Sequence, residues 1–400
     1  MKLGYAQTDI TPALERPVYL AGFGQNRRAT GVHDPLYARA LALQQGDTSL
    51  VLCALDLIGF FQDAVQQVTG RVQVEFPDVQ LIIASTHTHH GPDTMGLWGP
   101  DDRRRGVDER YYAALKDQVV VTILDSLQRL QPVAHFKTGA IQAPGLAKNA
   151  RDPEIRDEEL TCLQFLDEHS NPMATVVDFP CHPEVLWEHN PIITSDYPGV
   201  LRQQIEAVTG APAVFFSGAL GGMMTPDVQE HSFAEAEAMG RALAQVALDC
   251  LANAPSQRAG EIELAVRRSW FEVRLSNILF QVAIRRGLLP DPRQQKGLFK
   301  GPVRSQVNLV CIGGCWLVTV PGELLPKLGL QIKAQLRAGG APVTGIIGLA
   351  NDELGYILPP EDFRYPLNPL APGEHYEETM SISKQIGPRM MAAVAALLAD

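Results

Sequence analysis

The apolar runs Leu36–Leu43 and Ser49–Leu57 are separated only by Gln44-Gln45-Gly46-Asp47-Thr48. That gap admits a tight turn but no crossover helix, so the two runs pair as antiparallel strands. Thr161–Leu166 and Ala174–Phe179 form a second such pair around Asn171-Pro172. A further β-rich set comprises Glu261–Arg274, Val307–Cys311 and Cys315–Val320, and single strands are read at Val79–Ala84, Phe136–Ile141, Ala213–Ser217 and Val343–Leu349. Helical periodicity fills the spaces, at Gln62–Val72, Glu109–Leu130, Tyr197–Val208 (capped by Ser195 or Asp196), Phe233–Asn253, Pro326–Ala338 and Ile382–Leu398. Adjacent hairpins exclude a purely parallel, doubly wound sheet. The predicted fold class is α/β, with mixed β-sheets layered with helices in a single large domain spanning residues 1–400. No sequence repeat or low-complexity tract interrupts it, and Leu289–Val303, carrying Gly, Pro and basic residues, reads as a surface excursion or lid.

Hydrophobic residues at 46% and charged residues at 20% fit a packed globular chain and not a disordered one. The formal net charge of -11 denies the chain the broad positive field that nucleic acid needs. Its one basic run, Arg103 to Arg105, lies among Asp101, Asp102 and Asp108 and reads as a solvated loop. No apolar signal core follows Met1-Lys2, and no stretch is long and apolar enough to span a bilayer. A cytoplasmic protein without a membrane span is therefore expected, with room for a homo-oligomer. Cys53, Cys162, Cys181, Cys250, Cys311 and Cys315 are scattered through apolar runs and predict free, buried thiols.

The chemistry concentrates in Ser85-Thr86-His87-Thr88-His89-His90-Gly91-Pro92, directly after the buried strand Leu81-Ile82-Ile83-Ala84. In extended backbone His87 and His89 face one side and His90 the other. Two imidazoles on one face serve a metal together, or one binds metal while the other carries protons. His182 repeats the strand-end placement after Phe179, as does Glu323 after Val318-Thr319-Val320. Taken singly, His182 is as readily a core histidine and Glu323 a helix-start carboxylate; together with the histidine run they make a metal-ligand set. Asp56, at the end of Leu52-Cys53-Ala54-Leu55, is placed to orient a ligand histidine. His33 and Asp34 read as a turn near the site, and Met95, Leu97 and Trp98 fit an apolar pocket as well as ordinary packing. His90, His135, His169, His231 and His375 carry no signal beyond exposure.

The run Thr86-His87-Thr88-His89-His90-Gly91-Pro92 resembles the His-Thr-His-Ser-Gly-Pro signature of the neutral/alkaline (non-lysosomal) ceramidases. Gly4 to Pro12, Gly31 to Ala40, Asn149-Ala150-Arg151-Asp152-Pro153, Gly218 to Asp227, Pro321-Gly322-Glu323, and Gly355-Tyr356 with Tyr376-Glu377 are similar to that family's blocks in the same order. The resemblance implies one zinc ion per chain, held by His87, His182, Glu323 and Tyr356. It gives His89 the proton-transfer role and makes Arg151 and Tyr376 the groups that polarise the substrate carbonyl and stabilise the oxyanion. Two departures stand out: Met224 or Thr225 replaces the family's loop serine, and the spacing from Tyr356 to Tyr376 is longer. The chain also ends before the family's C-terminal β-sandwich, so a short form is expected.

These features predict a zinc-dependent hydrolase that cleaves a linear amide, an N-acyl bond in a small-molecule or lipid-like substrate, with ceramide specificity not implied. Zinc would polarise the carbonyl and acidify water, and His89 would accept the proton and return it to the leaving amine. A metal-dependent esterase or lactonase, and a non-catalytic binding protein on the same scaffold, are the rival readings. Ser217-Gly218-Ala219 offers no Gly-x-Ser-x-Gly elbow, which disfavours a serine hydrolase.

Overall fold

The computed structural model describes residues 1–292, 301–363 and 376–399. Its architecture is a set of mixed sheets layered with helices, and three of the sheets repeat one order of elements. In the first, Lys2–Asp9, Tyr37–Gln45 and Thr48–Leu55 run antiparallel, the helix Gln62–Val72 crosses over, and Gln80–Ser85 lies parallel to Thr48–Leu55. In the second, His135–Gln142, Glu159–Leu166 and Pro172–Phe179 are followed by the helix Tyr197–Thr209 and the parallel strand Ala213–Ser217. In the third, Leu264–Val273, Val303–Ile312 and Cys315–Thr319 are followed by the helix Pro326–Ala338 and the parallel strand Val343–Ile347. Each unit closes with another helix: Glu109–Gln128, Phe233–Asn253 or Ile386–Ala399. The sequence shows no such repetition, because what recurs is element order and not residue identity.

Alternation along the strands explains how the units pack. Leu41, Leu43, Leu50 and Leu52 point into a central core with Phe136, Phe165, Val176 and Val214 of the second sheet and Val310, Leu317 and Ile347 of the third. Their neighbours Ala40, Ala42, Val51 and Cys53 face the other way, onto the first unit's helices through Val65, Val68, Leu115 and Val119. Strands covered on both faces read as continuous apolar runs, which is how they look in the sequence. The last strands of the three units are stitched together at their carboxyl ends. Ser85 N–H donates to the Leu349 carbonyl (3.2 Å), Gly348 N–H to the Ser217 carbonyl (2.8 Å), and the Ser217 hydroxyl to the Thr86 carbonyl (2.7 Å). Loops leaving this junction are held on a rigid base.

Most expected elements are present, with shifted ends. The final helix begins at Ile386 and not Ile382, because the Ile382 carbonyl is engaged by the Ser276 and Asn277 N–H groups and Ser381 bridges to Gly355. The strand expected at Val307–Cys311 extends over Val303–Ile312. A helix at Ile278–Arg285, capped by Asn277, adds to the elements read from the sequence; its short run lacks a buried stripe. Of the expected lid, 293–300 lie outside the described residues. All six cysteines are free, Cys250 being half-buried and the others buried. No helix among the described residues is long and apolar enough to cross a membrane.

Candidate metal centre

Three units contribute side chains to one buried spot. His87 and His89 follow the last strand of the first unit, His182 follows the third strand of the second, and Glu323 and Tyr356 come from the third. The short strands Glu323–Leu324 and Tyr356–Ile357 pair in parallel, with Glu323 directly opposite Tyr356. The His87, His89 and His182 rings lie 5.0 to 5.4 Å apart. One nitrogen from each ring falls within 4.8 Å of the other two. His87 has left-handed backbone at φ 70°, a conformation that is costly for a non-glycine residue and concentrates at functional sites. The two rings thus converge through a strained turn beyond Ser85, and not through the extended strand read from the sequence.

Hydrogen bonds fix what each ring presents. His87 Nδ1 lies 2.6 Å from the Ile58 carbonyl, and His182 Nδ1 lies 2.8 Å from the Met224 carbonyl. A carbonyl only accepts, so both Nδ1 atoms carry hydrogen and both Nε2 lone pairs face the centre. There they meet a carboxylate: His182 Nε2 is 3.1 Å from Glu323 Oε2, and His87 Nε2 is 3.5 Å from it. Bare lone pairs would repel a carboxylate oxygen, so at these distances the centre takes either a shared proton or a metal cation. Burial raises the Glu323 carboxyl, but His87 and His182 outweigh it and hold it below the ordinary range. Burial likewise lowers His182, but the same Glu323 outweighs it and lifts the ring above its ordinary value. This donor set of two imidazole nitrogens and a carboxylate fits a divalent transition metal such as zinc.

His89 is oriented differently. Its Nδ1 lies 3.0 Å from Glu184 Oε2, and Glu184 is fully buried. Burial pushes the His89 imidazole down to about 4, against the pull of Glu184. The Phe23 ring packs edge-on at 4.8 Å. A Cβ at Gly22 would fall 2.3 Å from the His89 ring, so that glycine, at φ +101°, makes room for it. Glu184 gave no signal in Cys181-His182-Pro183-Glu184; a carboxylate two residues beyond a strand-end histidine was the one clue available.

Tyr356 and Tyr376 pack edge to face at 5.7 Å and line the same cavity, together with Ile58, Phe61, Met95 and Trp98. Burial raises the hydroxyl of Tyr356, and desolvation of the hydroxyl end raises that of Tyr376, whose ring is otherwise exposed; Glu323 adds to both. The Tyr356 hydroxyl lies 3.5 Å from Met223 Sδ. Arg151 is placed elsewhere. Its guanidinium donates to Glu377 (2.6 Å), twice to Glu378 (2.9 Å each) and to the Asp362 carbonyl (2.9 Å), and it lines a separate pocket with Asn149 and Lys327. Glu377 and Glu378 belong to the Tyr376–Thr379 turn, so Arg151 touches the turn that carries Tyr376.

Two expectations need correction. Asp56 orients no ligand histidine: it forms a bidentate pair with Arg202 (2.7 Å and 2.7 Å) and accepts from Tyr37 N–H and the Thr86 hydroxyl. His90 is not exposed. Its Nδ1 accepts near Arg27 Nη2 (3.4 Å) and Asn190 Nδ2 (3.3 Å), and its Nε2 faces Asp196 at 3.6 Å. His231 stacks on Trp187 and His33 on Phe233. His375 lies outside the described residues.

Residues 1–229 match the family described as neutral/alkaline non-lysosomal ceramidase, N-terminal. The chain belongs to this family. A curated relative, the neutral ceramidase of Pseudomonas aeruginosa, is 24% identical over 216 residues, which take in 50% of this chain and 32% of that protein's length. The crystal structure of neutral ceramidase from Pseudomonas aeruginosa superimposes with a TM-score of 0.76 at 18% identity, covering 99% of this chain and 73% of the other. A structure described as ceramidase complexed with C2 gives the same TM-score, 0.76, with 100% and 74% covered. The ceramidase fold therefore extends beyond the matched half, through the third unit that supplies Glu323 and Tyr356.

Proposed function

We propose that this ceramidase-family chain acts over residues 1–400 as one catalytic unit, a zinc-dependent hydrolase that cleaves a linear N-acyl amide. The observation that supports the reading is the convergence of His182 Nε2, His87 Nε2 and Glu323 Oε2 on one buried spot, three donor atoms of the kinds a divalent metal takes. His87, His182 and Glu323 would hold the ion, with Tyr356, paired beside Glu323, completing the set. When bound, zinc supplies Lewis-acid polarisation of the carbonyl and acidifies water.

The remaining work falls to the chain's own groups. His89 holds Nδ1 against Glu184 and so keeps Nε2 free to take a proton from attacking water and deliver it to the leaving amine. It is neutral at physiological pH, hence able to accept, and the Glu184 carboxylate favours the charged ring that forms when it does. The Tyr376 hydroxyl, on the cavity wall, donates to the developing oxyanion. Ile58, Phe61, Met95 and Trp98 exclude water and receive an apolar part of the substrate. Arg151, bound by two glutamates, supports Tyr376 and is kept off the substrate by them.

The test is elemental analysis of purified protein alongside hydrolysis of N-acyl amides and matched esters, before and after chelation. About one zinc per chain and chelator-sensitive amide cleavage are expected. A protein that takes up no divalent metal refutes the reading, and cleavage of esters alone converts it to an esterase.

A further inference from the structure

Glu353 is buried, at 4% exposure, in the loop after Val343–Ile347. Its Oε1 accepts from Gly355 N–H at 3.0 Å, while its Oε2 has no partner among the described residues. The adjacent Asp352 is fully employed by Gln62 N–H, Glu353 N–H and the Ser305 hydroxyl. One carboxylate thus secures the loop and its neighbour keeps an idle oxygen. A buried carboxyl oxygen without a partner is costly, and native structures retain such groups where an ordered water, an ion or a ligand supplies the missing bond.

The location says which ligand. Glu353 lines the cavity that holds His87, His89, Glu323, Tyr356 and Tyr376, and also an adjoining cleft. The two share Phe61, Phe280 and Leu289, so Glu353 stands at their junction. Room beside it is kept by Gly59, where a Cβ would come within 2.8 Å of Met95 Sδ and 3.1 Å of Glu353 Cγ. Among the described residues, the charged side chains along the combined wall are acidic or histidine, Glu323 in the cavity and Asp63 and Asp352 in the cleft among them. Arg285 and Arg286, at the end of the nearby helix, are exposed and line neither. Acidic groups set around a largely apolar wall concentrate a ligand of opposite charge.

We infer that Glu353 is a specificity-determining residue that binds a free ammonium group on the substrate, so the preferred class is an N-acylated diamine or a similar N-acyl amine bearing a second, cationic nitrogen. This rests on the hydrolase reading for its catalytic form, while the binding step stands apart from it.

The experiment compares three matched N-acyl amides whose distal group is ammonium, hydroxyl or methyl, with wild-type protein and Glu353→Gln, each verified to hold metal. Wild type should favour the ammonium substrate over the methyl one by about 10- to 100-fold in kcat/KM, the range for a hydrogen bond to a charged group. Glu353→Gln should remove that preference and leave the methyl substrate within about threefold of its wild-type value. Equal preference in wild type, a preference for hydroxyl, or a preference untouched by the variant overturns the inference; the wild-type comparison alone decides it should the variant not fold. Calorimetric binding of an α,ω-alkyl diammonium against the monoammonium separates the two readings. Diammonium binding that depends on Glu353 in a protein that hydrolyses nothing would sink the hydrolase and keep this site; binding independent of Glu353 would sink this site alone.

Discussion

The pair between Asp56 and Arg202 offers a sharp test of how the histidine turn is supported. Both side chains are essentially inaccessible, at 0% and 1%, and meet through two bonds of 2.7 Å. Asp56 also takes Tyr37 N–H and the Thr86 hydroxyl, the latter immediately before His87. Arg202→Met strips the carboxylate of its cation, and Asp56→Asn strips the guanidinium of its anion. Each leaves an uncompensated buried charge, for which about 3–5 kcal/mol is expected. The double variant removes both charges, and the introduced amide oxygen still accepts from Tyr37 N–H, so it should lose no more than about 1–2 kcal/mol. Urea unfolding of the metal-free protein, read as a double-mutant cycle, should therefore give a coupling of several kcal/mol. Additivity within about 0.5 kcal/mol would show that the pair is not coupled and refute the argument. A second readout is metal affinity, which should fall in the Asp56→Asn single variant as the Thr86 contact that steadies the turn before His87 is weakened.

Removing a ligand and removing the base should separate cleanly. His87→Ala and Glu323→Ala are expected to lose zinc by elemental analysis, whereas His89→Ala should retain it and lose about 100- to 10,000-fold in kcat. If Arg151 acts through the Tyr376 turn, Arg151→Ala and the Glu377→Gln/Glu378→Gln pair should lower kcat alike, and combining them should add little; strict additivity would point to direct substrate contact. Buried Asp178 is pushed up to about 8, chiefly by desolvation and against the pull of Lys333. The folded state then holds a proton that the unfolded chain releases near 4, so this carboxyl's contribution to stability is full below about 4 and declines as pH rises toward 8. Asp178→Asn should flatten that decline in denaturation midpoints measured from pH 5 to 8.

The elements that were legible in the sequence share one property: their burial is periodic. Leu36–Leu43 and Ser49–Leu57 declared a hairpin, and strand-end positions singled out His87, His182 and Glu323, which the fold does bring together. What the sequence withheld depends on partners far along the chain. Asp56 looked like a histidine orienter because nothing local reveals Arg202, 146 residues away. His90 looked exposed because Arg27, Asn190 and Asp196, which enclose it, lie on other loops. Glu353 hid in Asn351-Asp352-Glu353, a polar stretch indistinguishable from a surface turn. Tyr356 and Tyr376 were reached only through family likeness, since no spacing rule selects a tyrosine for a metal site.

The threefold recurrence of element order has a consequence for how the protein holds itself together. His87 belongs to the first unit, His182 to the second, and Glu323 with Tyr356 to the third, so no unit alone owns a metal site. An ion bound there is a clasp, and its affinity measures how firmly the three sheets are docked. Any substitution that loosens the shared core of Leu52, Phe165 and Leu317, however distant from the histidines, should be felt first as leakage of metal. Conversely, free metal at about a thousand times its dissociation constant would add about 4 kcal/mol to the joined state by mass action. Metal supply would then set the stability of the assembled fold as well as its chemistry.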